Sequence, residues 1–420
     1  MQRLVNSTDT MISASRFIAA VVLAASLVLF SSTCMSKEEV ATRYNVHFHA
    51  DFAAAAPNAR ISISITQTRE VVRVIDFVAE QSAYRLVDYE GELERTDDRI
   101  VWSPPEDGGT IVFDHVIDSP KGDLFDARRS ADGAMLRLDS LFPRARVRSL
   151  RGAKSNSSLS LSGPERWSFE TGYGLILGTH PLPDTERNFN RPVGWLVAGK
   201  LATRRETIGE HTIVVSSLSG SGARHLDLLT FLRWTFPQVS DLLPRFPTQV
   251  LVARAGKDLS MWRGALSAPN SLYLHEDRPL VSGNGTSTLL HELMHVGGLH
   301  SAEKGSDWIV EGLSEFYSLE LLRRSGGMSD ERYASSLAKL QAWVEKDNGV
   351  LSSPSKGANT AAAVLLFHEL HQELSQVGGS LDAIVRALVV GDESISVSHL
   401  EELAIDNLGH PSTVLAKYGV

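Results

Sequence analysis

A single cysteine, Cys34, in 420 residues rules out an internal disulfide, so the fold must be stabilised by its core. Basic residues are the minority, 41 against 50 acidic for a net charge of −9, and no Lys/Arg cluster interleaved with aromatics is present to track a phosphate backbone. That pattern excludes nucleic acid as a partner. Internal repeats are absent. So is an apolar run of bilayer-spanning length: the longest N-terminal run, 17–30, falls short of the roughly 20 residues a spanning helix needs. What remains is globular composition, 43% hydrophobic and 22% charged, in a chain long enough for two or three domains.

The N-terminus places Arg16 before that apolar run and Ser31, Ser32 and Thr33 after it, the order of an export signal over 1–36. Cys34 follows directly, which resembles the lipid-attachment site of bacterial lipoproteins, although Ser31 and Thr33 replace the Leu and small residue usual there. Lipidation of Cys34, simple cleavage and an uncleaved anchor all stay open. Each implies an exported protein, periplasmic or held at the cell envelope.

From 44 to 217 short segments alternate apolar and polar residues between turn-forming Gly, Pro, Asp and Asn, which predicts an antiparallel β-sandwich. Segment 59–66 is the clearest strand, with others at 71–78, 99–103, 110–117, 158–162, 193–199 and 211–216. The Ser-rich stretch 151–160 reads as a mobile loop. Beyond the Gly/Ser segment 216–222, helical periodicity takes over, so a second, mostly helical domain is expected over 223–420. It contains a helix at 226–243 interrupted at Pro237, strands at 248–253 and 271–275, and helices at 286–296, 306–324, 329–346, 356–375, 381–390 and 399–407.

Segment 291–295 reads HELMH. His291 and His295 lie one turn apart on one helix face, so both imidazoles can reach one Zn²⁺ ion. Glu292 is placed to take a proton from water rather than to bind the metal. Thr286 or Ser287 can cap this helix, and Gly297-Gly298 ends it. By residue frequency alone such a motif arises by chance on the order of a few per cent of the time in a chain this long. A third ligand is needed. Segment 307–317 supplies Glu311 after fifteen intervening residues, 296–310, and Glu315 one turn further along, suited to accept the outer N–H of a zinc histidine.

HELMH followed by WIVEGLSEFY resembles the gluzincin clan of zinc peptidases, and within it the membrane alanyl aminopeptidase and glycyl aminopeptidase families. Residues 355–358, SKGA, and 380–388 extend the likeness, which runs from about Thr286 to Leu388. It implies an α+β fold with a thermolysin-like catalytic domain behind an N-terminal β domain, one zinc ion, and a peptide or protein substrate. Three departures matter. The gap from His295 to Glu311 is shorter than in the alanyl aminopeptidases. Pro354 stands where those enzymes carry a tyrosine that stabilises the oxyanion. The G-x-M-E-N segment that anchors a free amine is replaced by Gly264 to Ala268, so exopeptidase specificity does not carry over. Tyr317, Tyr333, His300, His368 and His371 are candidates for the missing donor, and 271–275 for the edge strand a peptide would pair with. Two functions stay open: a zinc peptidase, or a catalytically weak relative that binds peptides or envelope proteins.

Overall fold

Alternation becomes strand in the N-terminal half. Asn58–Thr66 buries Ala59, Ile61, Ile63 and Ile65 and turns Arg60, Ser62 and Ser64 outward. It lies in a six-stranded sheet ordered Thr179–Pro181, Lys154–Ser162, Arg43–Asp51, Asn58–Thr66, Gly108–Val116, Tyr84–Tyr89. The structure is a computed structural model and describes residues 42–256, 260–391 and 393–420. The expected export segment 1–36 and Cys34 lie outside the described residues. Among the described residues no helix is long and apolar enough to cross a membrane.

Two expectations for this region are corrected. The sheet is mixed rather than antiparallel, because Arg43–Asp51 and Lys154–Ser162 run parallel, with Arg43 opposite Lys154. The Ser-rich stretch read as a loop is the strand Lys154–Ser162 itself. Ser155, Ser157, Leu159 and Leu161 face the core, and the buried serine hydroxyls are satisfied there: Ser157 donates to Ser155 Oγ at 3.2 Å and Ser155 to the Arg187 carbonyl at 3.3 Å. Their partners on the other face are hydroxyl and imidazole groups: His47 lies 2.9 Å from Ser158 Oγ and 2.8 Å from Ser160 Oγ. Serine composition hid a period-two pattern that burial reveals.

One buried histidine in this sheet makes a testable contribution to stability. His115 stacks on Tyr84 at 4.4 Å, with its Nδ1 3.1 Å from the Ala83 carbonyl oxygen. Burial pushes its pKa down to about 4, against a partial upward pull from that carbonyl. The unfolded chain binds the proton more readily, so the stabilising contribution is present above about pH 6.5 and is lost as pH falls towards 4. The full loss is about 3 kcal/mol. Urea melts of wild type and His115→Phe from pH 7 to pH 4 check this: the substitution should flatten the acid limb, and parallel curves would refute the assignment.

A second six-stranded sheet has both faces covered. In Gly133–Arg137 and Trp195–Gly199, Ala134, Leu136, Leu196 and Ala198 join the core of the first sheet, while Met135, Trp195 and Val197 turn to a separate core with Val214, Leu251 and Tyr273. This explains why Trp195–Gly199 is buried throughout instead of alternating. The residues Val214, Leu251 and Tyr273 belong to a five-stranded sheet ordered Leu201–Ile208, His211–Leu218, Gln249–Ala255, Ser271–His275, Ala265–Ala268. Its other face, with Ile213, Val215, Val250, Val252, Leu272 and Leu274, packs on the helices.

This sheet crosses the expected division at 217–223. His211–Leu218 pairs in parallel with Gln249–Ala255, and Arg43–Val420 form one compact unit. The sheet against the helices therefore begins at Leu201. The Gly/Ser segment is a turn into a crossover helix.

Beyond the one-turn helix Leu138–Leu141 in the strand-rich half, the helices described are α1 (His225–Leu242), α2 (Thr288–Val296), α3 (Asp307–Arg324), α4 (Asp330–Asp347), α5 (Ala358–Gln376), α6 (Leu381–Val390), α7 (Val397–Leu408) and α8 (Thr413–Lys417). Helix α1 runs through Pro237 without the expected interruption. Pro237 is exposed, while Leu232, Phe236 and Val239 anchor the opposite face in the core. The architecture is thus mixed α+β, rich in strands first and in helices after.

Candidate metal centre

Helix α2 starts where Ser287 accepts the Leu290 N–H at 3.4 Å and stops at Gly297. Gly297 is required by space, since a Cβ there would meet Leu243 at 2.3 Å. Between these ends Leu289, Leu290, Leu293 and Met294 bury the core face, leaving His291 and His295 on the other. Helix α3 is apolar almost all round, with Trp308, Ile309, Leu313, Phe316 and Leu319 all buried. Glu311 and Glu315 form a half-buried acidic row on it, and that row faces the two histidines.

The sequence-derived residues meet at one point. His291 Nε2 and His295 Nε2 are 3.0 Å apart. Glu311 Oε2 lies 3.3 Å from the first, and Glu311 Oε1 lies 3.7 Å from the second. A tetrahedral ion with bonds of about 2.0–2.1 Å requires ligand atoms about 3.3 Å apart. The separation of the two Nε2 atoms and that of each from its nearer Glu311 oxygen fall around that value, and one donor atom from each residue lies within 4.8 Å of the others, so small side-chain adjustments would seat one zinc-sized cation.

The outer ring nitrogens are fixed as a metal site requires. Glu315 Oε2 is 3.0 Å from His291 Nδ1, and His295 Nδ1 donates to the Leu299 carbonyl in a short hydrogen bond. Both Nδ1 atoms are thereby the protonated ones, leaving the Nε2 lone pairs to converge. With no ion bound, a proton takes the cation's place. Burial alone lowers the pKa of His291, but its hydrogen bonds to Glu311 and Glu315 outweigh this and push it up to about 10. His295 moves down through burial and the neighbouring His291 charge. Burial would raise the Glu311 carboxyl, but the hydrogen bond to His291 and the charge on His295 hold it below its usual value. The metal-free cluster thus holds a proton on His291 between the two carboxylates, and a bound cation would have to displace it.

Glu292 is buried beside this cluster, and its Oε2 accepts the backbone N–H of Ser267 at 2.7 Å. Ser267 lies on Ala265–Ala268, which is the edge of the five-stranded sheet. The edge is therefore not 271–275 as expected, because Ser271–His275 is flanked on one side by Gln249–Ala255 and on the other by Ala265–Ala268. On an antiparallel edge alternate residues turn their N–H and C=O groups outward, and the Ser267 N–H is one of these.

The five candidate donors separate cleanly. Tyr317 is fully buried and donates to Asp382 Oδ1 at 2.7 Å. Tyr333, His368 and His371 line another cleft with Glu320 and Arg323. His300 shares a cavity with a metal-ligating candidate: a space of about 850 Å³ lined by His295, His300, Ser267, Arg137, Arg187 and Arg245 among others. Pro354 is exposed in the turn before α5, where the Ser355 N–H donates to Asp307 Oδ2 at 2.7 Å and ties that turn to the start of α3.

Gly312, next to Glu311, lets α3 approach α5. A Cβ there would stand 2.5 Å from Ala363 Cβ and 3.0 Å from the Phe367 ring. Gly312→Ala is expected to destabilise the protein by about 1–3 kcal/mol through overpacking. It should also displace Glu311 and weaken metal binding. Thermal melts with and without added zinc check both effects, and an unchanged melting temperature would show that the helices simply move apart.

Fold and cluster together define a class: a mixed α+β protein whose strand-rich N-terminal half precedes a helical half in which two histidines and a glutamate converge. The fold has a solved counterpart. The crystal structure of an aminopeptidase N family protein from Idiomarina loihiensis is similar with a TM-score of 0.61, covering 89% of this chain and 78% of that one at 13% sequence identity. The likeness is one of fold, and it supports an aminopeptidase-like architecture. No family model matches the sequence, and no curated protein matches it.

Proposed function

We propose that this chain is a zinc-dependent peptidase of the gluzincin type, thermolysin-like in its helical half and acting outside the cytoplasm. The observation that carries the reading is the convergence of His291, His295 and Glu311 at 3.0 to 3.7 Å with Glu292 beside them at the edge of a sheet. A zinc ion held by these donors supplies Lewis acidity, polarising a carbonyl and acidifying water. The outward edge of Ala265–Ala268 pairs with an extended peptide and lays its backbone across the site. Glu292, oriented by the Ser267 N–H, takes the proton of the attacking water and returns it to the leaving amine. Glu315 and the Leu299 carbonyl keep both imidazoles aimed.

A second reading is favoured by Pro354, which has no side-chain donor, and by Tyr317, whose hydroxyl is committed to Asp382. On that reading the protein is a catalytically weak module that binds peptides or envelope proteins. Metal analysis of the purified protein, combined with cleavage-site profiling and intact-peptide binding on one mixed library, separates the two. Zinc-dependent cleavage supports the peptidase, binding without cleavage supports the module, and absence of bound zinc sinks both. Export and attachment rest on 1–36, and the mass of the mature N-terminus distinguishes acylated Cys34 from a cleaved or retained segment.

A further inference from the structure

The cavity beside His295 is lined by three arginines in a chain that is acidic overall. Arg137 ends the strand Gly133–Arg137, Arg187 lies in the segment after Thr179–Pro181, and Arg245 lies between α1 and Gln249–Ala255. All three line the same cavity as His295 and Ser267, with Glu393 the one carboxylate in the lining. A net charge of −9 repels acidic peptides at long range, and a cavity lined by three arginines and one glutamate departs from the composition of the chain as a whole.

Arg137 and Arg187 each pair with a nearby carboxylate. The Arg137 Nε donates to Asp139 Oδ1 at 3.0 Å and its Nη2 pairs with Asp139 Oδ2 at 2.8 Å, so one edge of this guanidinium is committed and the Nη1 side is left for a second acceptor. Arg187 pairs with Asp184 at 2.5 Å, but both side chains are well exposed, so that pair is weak and exchangeable. Its backbone is pinned, since the Arg187 carbonyl accepts the Ser155 N–H at 2.9 Å.

We propose that this cleft selects peptide substrates by a carboxylate close to the scissile bond, bound by Arg187 and Arg245 with Arg137 behind them. This rests on the peptidase reading for the position of the scissile bond. The carboxylate comes from an acidic side chain or from a free C-terminus. Both present the planar pair of oxygens that a guanidinium fork matches.

The test uses full-length, zinc-loaded protein and quenched peptides of one sequence, with Glu or Gln at each position in turn and with free or amidated C-termini. Glu is expected to exceed Gln by about tenfold in kcat/KM at one position, or the free C-terminus to exceed the amide by as much. The arm that responds identifies the source. The preference should shrink as salt rises from about 0.05 to 0.5 M, and fall towards unity in the double variant Arg187→Gln/Arg245→Gln. Binding of the same peptides to Glu292→Gln is measured by fluorescence anisotropy. Cleavage with no preference in either arm overturns this inference and leaves the peptidase reading standing. Salt-sensitive binding of carboxylate peptides without any cleavage supports the inference and removes the peptidase. Neither cleavage nor binding removes both.

Discussion

Glu292→Gln is expected to keep stoichiometric zinc and an unchanged melting temperature while losing about a thousandfold or more in kcat. The amide is isosteric, and its oxygen can still accept the Ser267 N–H that holds the carboxylate at 2.7 Å. What it cannot do is take a proton. General acid–base assistance is worth about 10²–10⁴ in rate, and here one group serves both the attack and the departure of the amine, which places the loss near the upper end. KM should stay within a few-fold, because the side chain makes no ground-state contact that the amide cannot reproduce. Steady-state kinetics on the best library peptide, with zinc measured in the same samples, provide the check. Unaltered turnover in a zinc-replete variant would remove Glu292 from the chemistry and the peptidase reading with it.

The site residues that sequence made legible are those whose placement depends on one helix. His291 and His295 share a face because they are four residues apart, and Glu311 and Glu315 do for the same reason. The rest depends on contacts that no spacing records. The Ser267 N–H and the Leu299 carbonyl are backbone groups, invisible in residue identity, and both act only because separate segments are brought against α2. Arg137, Arg187 and Arg245 meet across more than a hundred positions of sequence. In the fold, alternation located most strands, but it could not assign them to sheets. His211–Leu218 reads as one more sandwich strand, and only burial of both faces and its parallel pairing with Gln249–Ala255 place it against the helices. In the serine strand Lys154–Ser162 the end at 158–162 is legible but 154–157 is not: composition marks 151–160 as a mobile loop, while packing against Arg43–Asp51 outweighs that local preference.

Glu311→Gln should have the larger effect on the metal itself. The binding free energy of a complete protein zinc site is on the order of 10 kcal/mol or more. Removing the one anionic donor of three should cost on the order of 4 kcal/mol, about a thousandfold in affinity. The two imidazoles keep their orientation through Glu315 and Leu299, so the variant should fold normally and retain weak zinc binding. Glu315→Gln is the control that gives the argument its order. Its amide oxygen can still accept the His291 Nδ1–H, so only charge is lost, and affinity should fall by about 10–100-fold, less than for Glu311→Gln. Competition against a fluorescent zinc chelator measures all three proteins on one scale. Added zinc should restore activity to chelator-treated wild type at low micromolar concentration and to Glu315→Gln at higher concentration. Glu311→Gln should stay inactive at both, because the neutral amide donates too weakly to hold the ion in a reactive geometry. If Glu315→Gln lost more zinc than Glu311→Gln, the inner and outer carboxylates would have to exchange roles, and the convergence at His291 and His295 would need a different third donor.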